Sequence, residues 1–92
     1  MKNNIYTILD EKAKAYTTPF FLPNDAVAIR AFTNMVNDDS SDFGRNPHDF
    51  TMYKIAEFDV LEGKINTQNK ELIKTGAECL TPITLKEATS DG

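Results

Sequence analysis

"PNDAVAIRAFTNMV" (Pro23–Val36) is the stretch on which the fold turns. At about 100° per residue, Ala28, Ile29, Ala31, Phe32, Met35 and Val36 fall on one arc, while Arg30, Thr33, Asn34 and Asn37 gather opposite. That pattern describes a helix with one buried face. Its start is marked too: Asn24 or Asp25 can accept the free first-turn N–H groups, and Asp25 suits the positive end of the helix dipole. A helix with one apolar stripe needs a second layer to cover it, and the flanking sequence supplies strands.

Upstream, "NIYTILD" (Asn4–Asp10) puts Tyr6 and Ile8 on one face and Ile5, Thr7 and Leu9 on the other, as a strand does. "YTTPFF" (Tyr16–Phe21) is strand-like again, with a loop near Glu11–Ala15 between the two. Pro19 has no N–H to give to a ladder, so this second strand must be an edge or must end there. Consecutive strand residues point to opposite faces, so Phe20 and Phe21 cannot both be buried against one helix. One belongs to the core and the other lies outside.

Downstream, "NDDSSDFGRNPHD" (Asn37–Asp49) is a cluster of turn formers, read as a loop with one helical turn near Phe43. "FTMYKIAEFD" (Phe50–Asp59) returns to strand, with Tyr53 and Ile55 on one side and Met52, Ala56 and Phe58 on the other. Gly63 suits a left-handed turn into a short partner strand over Lys64–Thr67. The expected fold is therefore α+β, a small antiparallel sheet in ββαββ order with one main helix packed on one face. The globular domain is placed at 1–67. Residues 68–92 are read as a C-terminal extension in which "ELIKTGAECL" (Glu71–Leu80) forms a short helix or strand before a tail.

A chain of 92 residues fits one domain, and at this size only roughly 60 to 65 per cent of the unfolded surface is buried. No apolar run approaches the roughly 18 to 20 residues that span a bilayer, so no membrane partner is expected. The start "MKNNIYTILDEK" lacks the long apolar segment of a signal peptide, and the protein is expected to stay where it is made. A single cysteine, Cys79, and a single histidine, His48, provide neither a disulfide framework nor a Cys/His zinc set. No metal and no cofactor is expected.

Catalytic patterns are missing as well: GxGxxG, P-loop, HExxH and GxSxG do not occur. His48 beside Asp49 in a proline-containing turn reads as a solvated residue, and Cys79 as an inert small side chain. Asp38, Asp39, Asp42 and Asp49 do not have the spacing of an EF-hand loop and read as a solvated acidic loop. The expectation is a protein without enzymatic activity.

The net charge of −4 is unevenly spread. Residues 1–36 sum to about +1, from Lys2, Lys12, Lys14 and Arg30 against Asp10, Glu11 and Asp25. Residues 37–63 sum to about −5, from seven carboxylates against Arg45 and Lys54. The acidic middle argues against a strongly basic nucleic-acid binder. The N-terminal third nevertheless combines cations with aromatic rings, the two ingredients of a single-strand platform. On that reading Lys12, Lys14, Tyr16 and Arg30 form the nucleic-acid surface. The competing reading has Tyr6, Tyr16 and one of the phenylalanines filling the helix-facing side of the sheet. For protein contacts the candidates are the outward member of Phe20 and Phe21, together with Asp38, Asp39 and Asp42 of the acidic loop. An outward phenylalanine beside an edge strand favours self-association, for which a two-fold homodimer is the commonest closed form.

"IYTILDEKAKAY", "PFF", "NDAVAIRAF", "VND", "NPHDF", "EFD" and "GKI", in that order and spacing, resemble the small non-structural protein of gokushoviruses, the bacteriophages of the Microviridae with circular single-stranded DNA genomes. The similarity covers about Met1 to Asn66; the segment after Thr67 has no counterpart. The resemblance implies a protein of the host bacterial cytoplasm that is not a virion component. It implies an accessory role in viral DNA replication or DNA packaging, with single-stranded viral DNA or replication proteins as partners, and it supplies no catalytic residues. The alternative is a protein-protein interaction module directed at a viral or host protein, without DNA binding.

Overall fold

A computed structural model describes residues 2–81. In chain order these form β1 (Lys2–Asp10), β2 (Ala15–Tyr16), β3 (Phe20–Leu22), α1 (Asp25–Val36), α2 (Asp42–Arg45), a 3-10 turn (Pro47–Asp49), β4 (Phe50–Asp59), β5 (Lys64–Thr75) and a second 3-10 turn (Ala77–Cys79). The five strands make one antiparallel sheet in which β1 and β4 are central, β5 is one edge, and β2 and β3 share the other. The fold is α+β, with α1 on one face, as the periodicity of Pro23–Val36 requires.

The proline argument explains why the outer edge comes in two pieces. β2 pairs with Leu9 and Asp10 of β1, and β3 pairs with Asn4, Ile5 and Tyr6. Between them Thr17 keeps the ladder satisfied: its N–H donates to the Ile8 carbonyl at 2.9 Å and its Oγ1 accepts from the Ile8 N–H at 3.1 Å. The Thr7 hydroxyl donates to the Thr17 carbonyl at 2.8 Å, so this buried polar side chain is also partnered.

Three residues at i, i+4 and i+8 on α1, namely Ala28, Phe32 and Val36, are buried against Tyr6 and Ile8 of β1 and Phe50 and Met52 of β4. Ile29 and Met35 flank this line, half-buried. Asn24 is the cap, accepting from the Val27 N–H at 2.9 Å. Asp25 takes a second task, accepting from the Tyr6 hydroxyl at 2.5 Å and from Asn4 Nδ2 at 3.3 Å. The positive end of the helix is thereby tied to the middle of β1. Phe20 packs on the same core, its ring 6.0 Å from that of Tyr6, and Phe21 points to the opposite face, half exposed.

Two differences from the sequence reading have physical causes. The partner strand expected over Lys64–Thr67 runs on to Thr75, and the chain beyond it closes the core: Cys79 is buried in the cluster around Phe32. Residues 68–79 therefore fold with the rest of the sheet, and the tail expected from residue 82 onward lies outside the described residues. Asn37, assigned to the polar side of the helix, clamps this segment, donating from Nδ2 to the Cys79 carbonyl at 2.9 Å and accepting from the Thr81 N–H at 3.0 Å. Gly76 makes the closure possible, because a Cβ there would stand 1.9 Å from the Pro47 carbonyl oxygen.

The second difference is a bulge. Ile5 faces Ala56 and Tyr6 faces Lys54, so Ile55 is an extra residue in β4. The alternation is reset there, and Ala56 and Phe58 share a face with Tyr53 instead of opposing it. The turn at Gly63 (φ +62°) is left-handed as expected, with Asp59 accepting from the N–H groups of Leu61 and Glu62.

Phe32→Ala removes the central knob of the core and is expected to cost about 3 to 5 kcal/mol in urea unfolding, whereas Phe21→Ala, at a half-exposed ring, should cost roughly 1 kcal/mol or less. Tyr6 gives a pH signature. Burial, then the bond to Asp25, pushes its hydroxyl from 10.0 up to about 12. Stability from this group is fully present below pH 10 and is lost as pH rises toward about 12, on the order of 2 to 3 kcal/mol in all. Absorbance at 295 nm should show one tyrosine ionising late, and Tyr6→Phe should abolish that step along with the matching loss of stability.

Candidate functional site

Directly paired residues of neighbouring strands point to the same side, so the register sorts the two faces of the sheet. One is covered by α1. The other carries Ile5 and Phe21, which pair across β1 and β3, Phe58 and Ile65, Tyr53 and Leu72, and Leu9 with Tyr16. No element among the described residues lies over this open face.

Its aromatic rings fall into two pairs. At one end Phe21 meets Phe58 edge-on with centroids 5.8 Å apart, beside Ile65. A shallow apolar groove of about 530 Å³ runs here, lined by Ile5, Pro19, Phe21, Ile55, Ala56 and Ile65 among others. At the other end Tyr16 meets Tyr53 with centroids 6.3 Å apart. Above these two rings lies the Lys70 ammonium, 5.0 Å from the Tyr16 centroid and 4.8 Å from that of Tyr53, within cation–π range. It also donates to the Tyr16 hydroxyl, and that bond first, then the nearby Tyr oxygens, holds the Lys70 pKa above the usual lysine value.

The same register places the strand charges, with Lys2, Lys54, Lys64 and Lys74 on the helix side. The four carboxylates within strands, Asp10, Glu57, Asp59 and Glu71, all belong to the helix side: Glu57 pairs with Asn4, Asp59 with Lys2, Glu71 with Lys54 and Asp10 with Phe50. Glu57 is held there by Lys54 at 3.0 Å and Lys2 at 3.5 Å, which lower its pKa in that order. No strand carboxylate projects from the open face among the described residues, and Lys70 lies on it.

The predicted nucleic-acid residues are only partly brought together. Lys14, at a left-handed φ of 57°, borders a small cleft with Leu9, Glu11 and Tyr16, so it stands at the rim of the tyrosine pair with Glu11 as its acidic neighbour. Lys12, in the same turn, borders a second cleft that Tyr16 also lines, together with Asp10, Asp42 and Asp49. Arg30 is on the exposed side of α1, in the layer behind the opposite face of the sheet from Tyr16. Tyr6 and Phe20 fill the helix-facing side as the competing reading has it, but Tyr16 does not join them.

The predicted protein-contact residues are also dispersed. Phe20 is turned into the core and Phe21 onto the open face. Asp38 accepts from the Ser40 hydroxyl at 2.6 Å and the Ser40 N–H at 2.9 Å, bonds that lower its pKa, and Asp42 pairs with Arg45. Asp39 is exposed in the same loop.

Tyr53 and Lys70 were not singled out by sequence reasoning. Tyr53 carried a signal, since alternation sets it opposite buried Met52. Lys70 carried none: it sits in the stretch 68–70, where β5 departs from regular pairing with β4 between Ala56–Thr67 and Lys54–Glu71, and its partner Tyr16 is 54 positions away.

Among the described residues this is a small α+β protein with one sheet face covered by a helix and the other open, aromatic and free of strand carboxylates. The chain belongs to the Phage ORF5 protein family, whose profile matches residues 3–79, from the first strand to the turn that buries Cys79. It is thus a bacteriophage protein. No curated protein and no solved structure matches it. No helix among the described residues is long and apolar enough to cross a membrane.

If the Tyr16 hydroxyl sustains the Lys70 ammonium, Tyr16→Phe should lower the Lys70 pKa toward 10.5. NMR titration of the lysine side-chain resonances measures this, and a Lys70 pKa unmoved by the substitution would contradict the contact.

Proposed function

We propose that this protein is a non-enzymatic accessory of genome replication or packaging in a single-stranded DNA phage of the gokushovirus type, acting in the host bacterial cytoplasm outside the virion, and that it contacts single-stranded DNA through the open face of its sheet. Membership in a phage family and the resemblance of residues 1–66 support the setting. The observation that carries the ligand is the charge segregation: a paired-tyrosine platform with an ammonium over it, on a face without strand carboxylates. For an acidic protein of net charge −4, a face without strand carboxylates is the side of the sheet that opposes a polyanion least. Aromatic faces accept any base, so binding of this kind tolerates sequence, as a genome-wide role requires.

The apolar end favours a second reading, a protein-contact module. Phe21 and Ile65 are each half exposed, and Phe58 and Ile5 continue the patch. A homodimer joined through this end would leave the tyrosine end open, so the two readings are compatible in one molecule.

Fluorescence anisotropy with a labelled single-stranded oligonucleotide separates them. Binding through about two phosphate contacts should weaken roughly sevenfold between about 50 and 200 mM salt. Absence of binding at low salt would remove the DNA reading. Sedimentation with Phe21→Asp then tests the apolar end, where a dimer unaffected by the substitution would remove the proposed contact.

A further inference from the structure

The position of Lys70 defines the site more closely. Its ammonium lies over two tyrosine rings at once, at 4.8 and 5.0 Å from their centroids, and hydrogen-bonds to one of them. These ring faces are where a flat aromatic ligand would stack. Tyr16 is 47% exposed, so this is a surface contact in water. There a cation–π contact provides only about a two- to fivefold preference. A nucleobase stacked on an aromatic side chain provides about 5- to 150-fold. Lys70 makes two such ring contacts and a hydrogen bond, so the two ranges overlap, and the exchange is decided by the phosphate contact that the displaced ammonium gains. A displaced ammonium on a flexible stem remains within a side chain's reach of the rings, close to the backbone of the nucleotide whose base has taken its place, and a phosphate is the partner its charge seeks. Glu11 and Lys14, of opposite charge, line the small cleft beside Tyr16.

We infer that Tyr16 and Tyr53 form a nucleobase-stacking subsite that Lys70 occupies in the free protein, and that on binding Lys70 passes from the rings to a phosphate of the stacked nucleotide. The inference rests on the single-stranded DNA reading and assigns it a location. Lys70 holds a positive charge over the rings until a strand arrives; a ligand offering a flat ring or a phosphate alone satisfies only half of the exchange.

The chain has three tyrosines and no tryptophan, and Tyr6 is fully buried on the other face, so intrinsic tyrosine emission reads the subsite directly. Titration with oligothymidylate should quench the wild-type emission. The Tyr16→Phe/Tyr53→Phe protein should bind within about twofold of wild type by anisotropy, because the rings remain, while the quench disappears. Tyr53→Ala and Tyr16→Ala should each weaken binding about 5- to 150-fold with the salt slope unchanged. Lys70→Gln should lower the slope of log K against log salt by about 0.7, one phosphate contact, while affinity at high salt holds or rises about two- to fivefold as the rings are freed. Lys70→Arg should restore the slope. If wild type binds but both alanine variants bind within about twofold of it, the subsite is wrong and the DNA reading stands. A quench that persists in the double phenylalanine protein, or a Lys70→Gln loss equal at low and high salt, would also overturn it. Failure of wild type to bind removes the DNA reading and this inference with it.

Discussion

The bond from the Tyr6 hydroxyl to Asp25 sits where the sheet and the helix are fastened together. Tyr6 is fully buried in the centre of β1, and a buried phenol without a partner would be costly. Asp25 is in the first turn of α1, where the helix dipole already favours a negative charge. One contact therefore satisfies the core's largest polar side chain and fixes the helix start over the strand. With that end anchored, the line Ala28, Phe32, Val36 is laid across Ile8, Phe50 and Met52, and Asn37 at the far end picks up the chain around Cys79.

The described residues include one main helix, and it covers one face of the sheet. The hydrophobic material that remains, Phe21, Tyr16, Ile65 and Leu72, is left on the other face, about half exposed in each case. Ordinary monomers scatter such residues singly, whereas here they share one side of a sheet. The strand carboxylates lie on the helix side with Lys2 and Lys54, whose ion pairs to Glu57 are kept away from the open face by the pleat. The same alternation that buries the core thus sorts the charge.

Much of this was legible from the residues. The helix, its cap, both hairpins, the interruption at Pro19 and the opposed directions of Phe20 and Phe21 follow from periods of 3.6 and 2 and from the missing proline N–H. What was not legible lies at the irregularities. Ile55 is an extra residue in β4, so Ala56 and Phe58 moved to the face of Tyr53 against the simple alternation. Irregular pairing around 68–70 concealed both the length of β5 and the role of Lys70. Gly76 carried no signal in the sequence, because its value is the absence of a Cβ against Pro47. Long-range clamps such as Asn37 to Cys79 leave no local trace at all.

The candidate site shows the same division. Tyr16 and Lys14 are near in sequence and stay near in space, but Arg30 is separated from them by the thickness of the sheet, because a helical wheel reports exposure and not which layer the exposure belongs to. Net charge misleads for a related reason. A sum of −4 sets the long-range field, yet a strand of DNA meets one face at a time within a Debye length of about 8 to 10 Å. In the acidic loop from Asp38 to Asp49, Asp38 binds Ser40 and Asp42 binds Arg45, and Asp42 and Asp49 share a cleft with Tyr16 and Lys12. On the proposed reading a polyanion would meet the sheet on the side that carries Tyr16, Tyr53 and Lys70, because no strand carboxylate among the described residues projects there, whereas on the helix side four strand lysines are offset by four strand carboxylates.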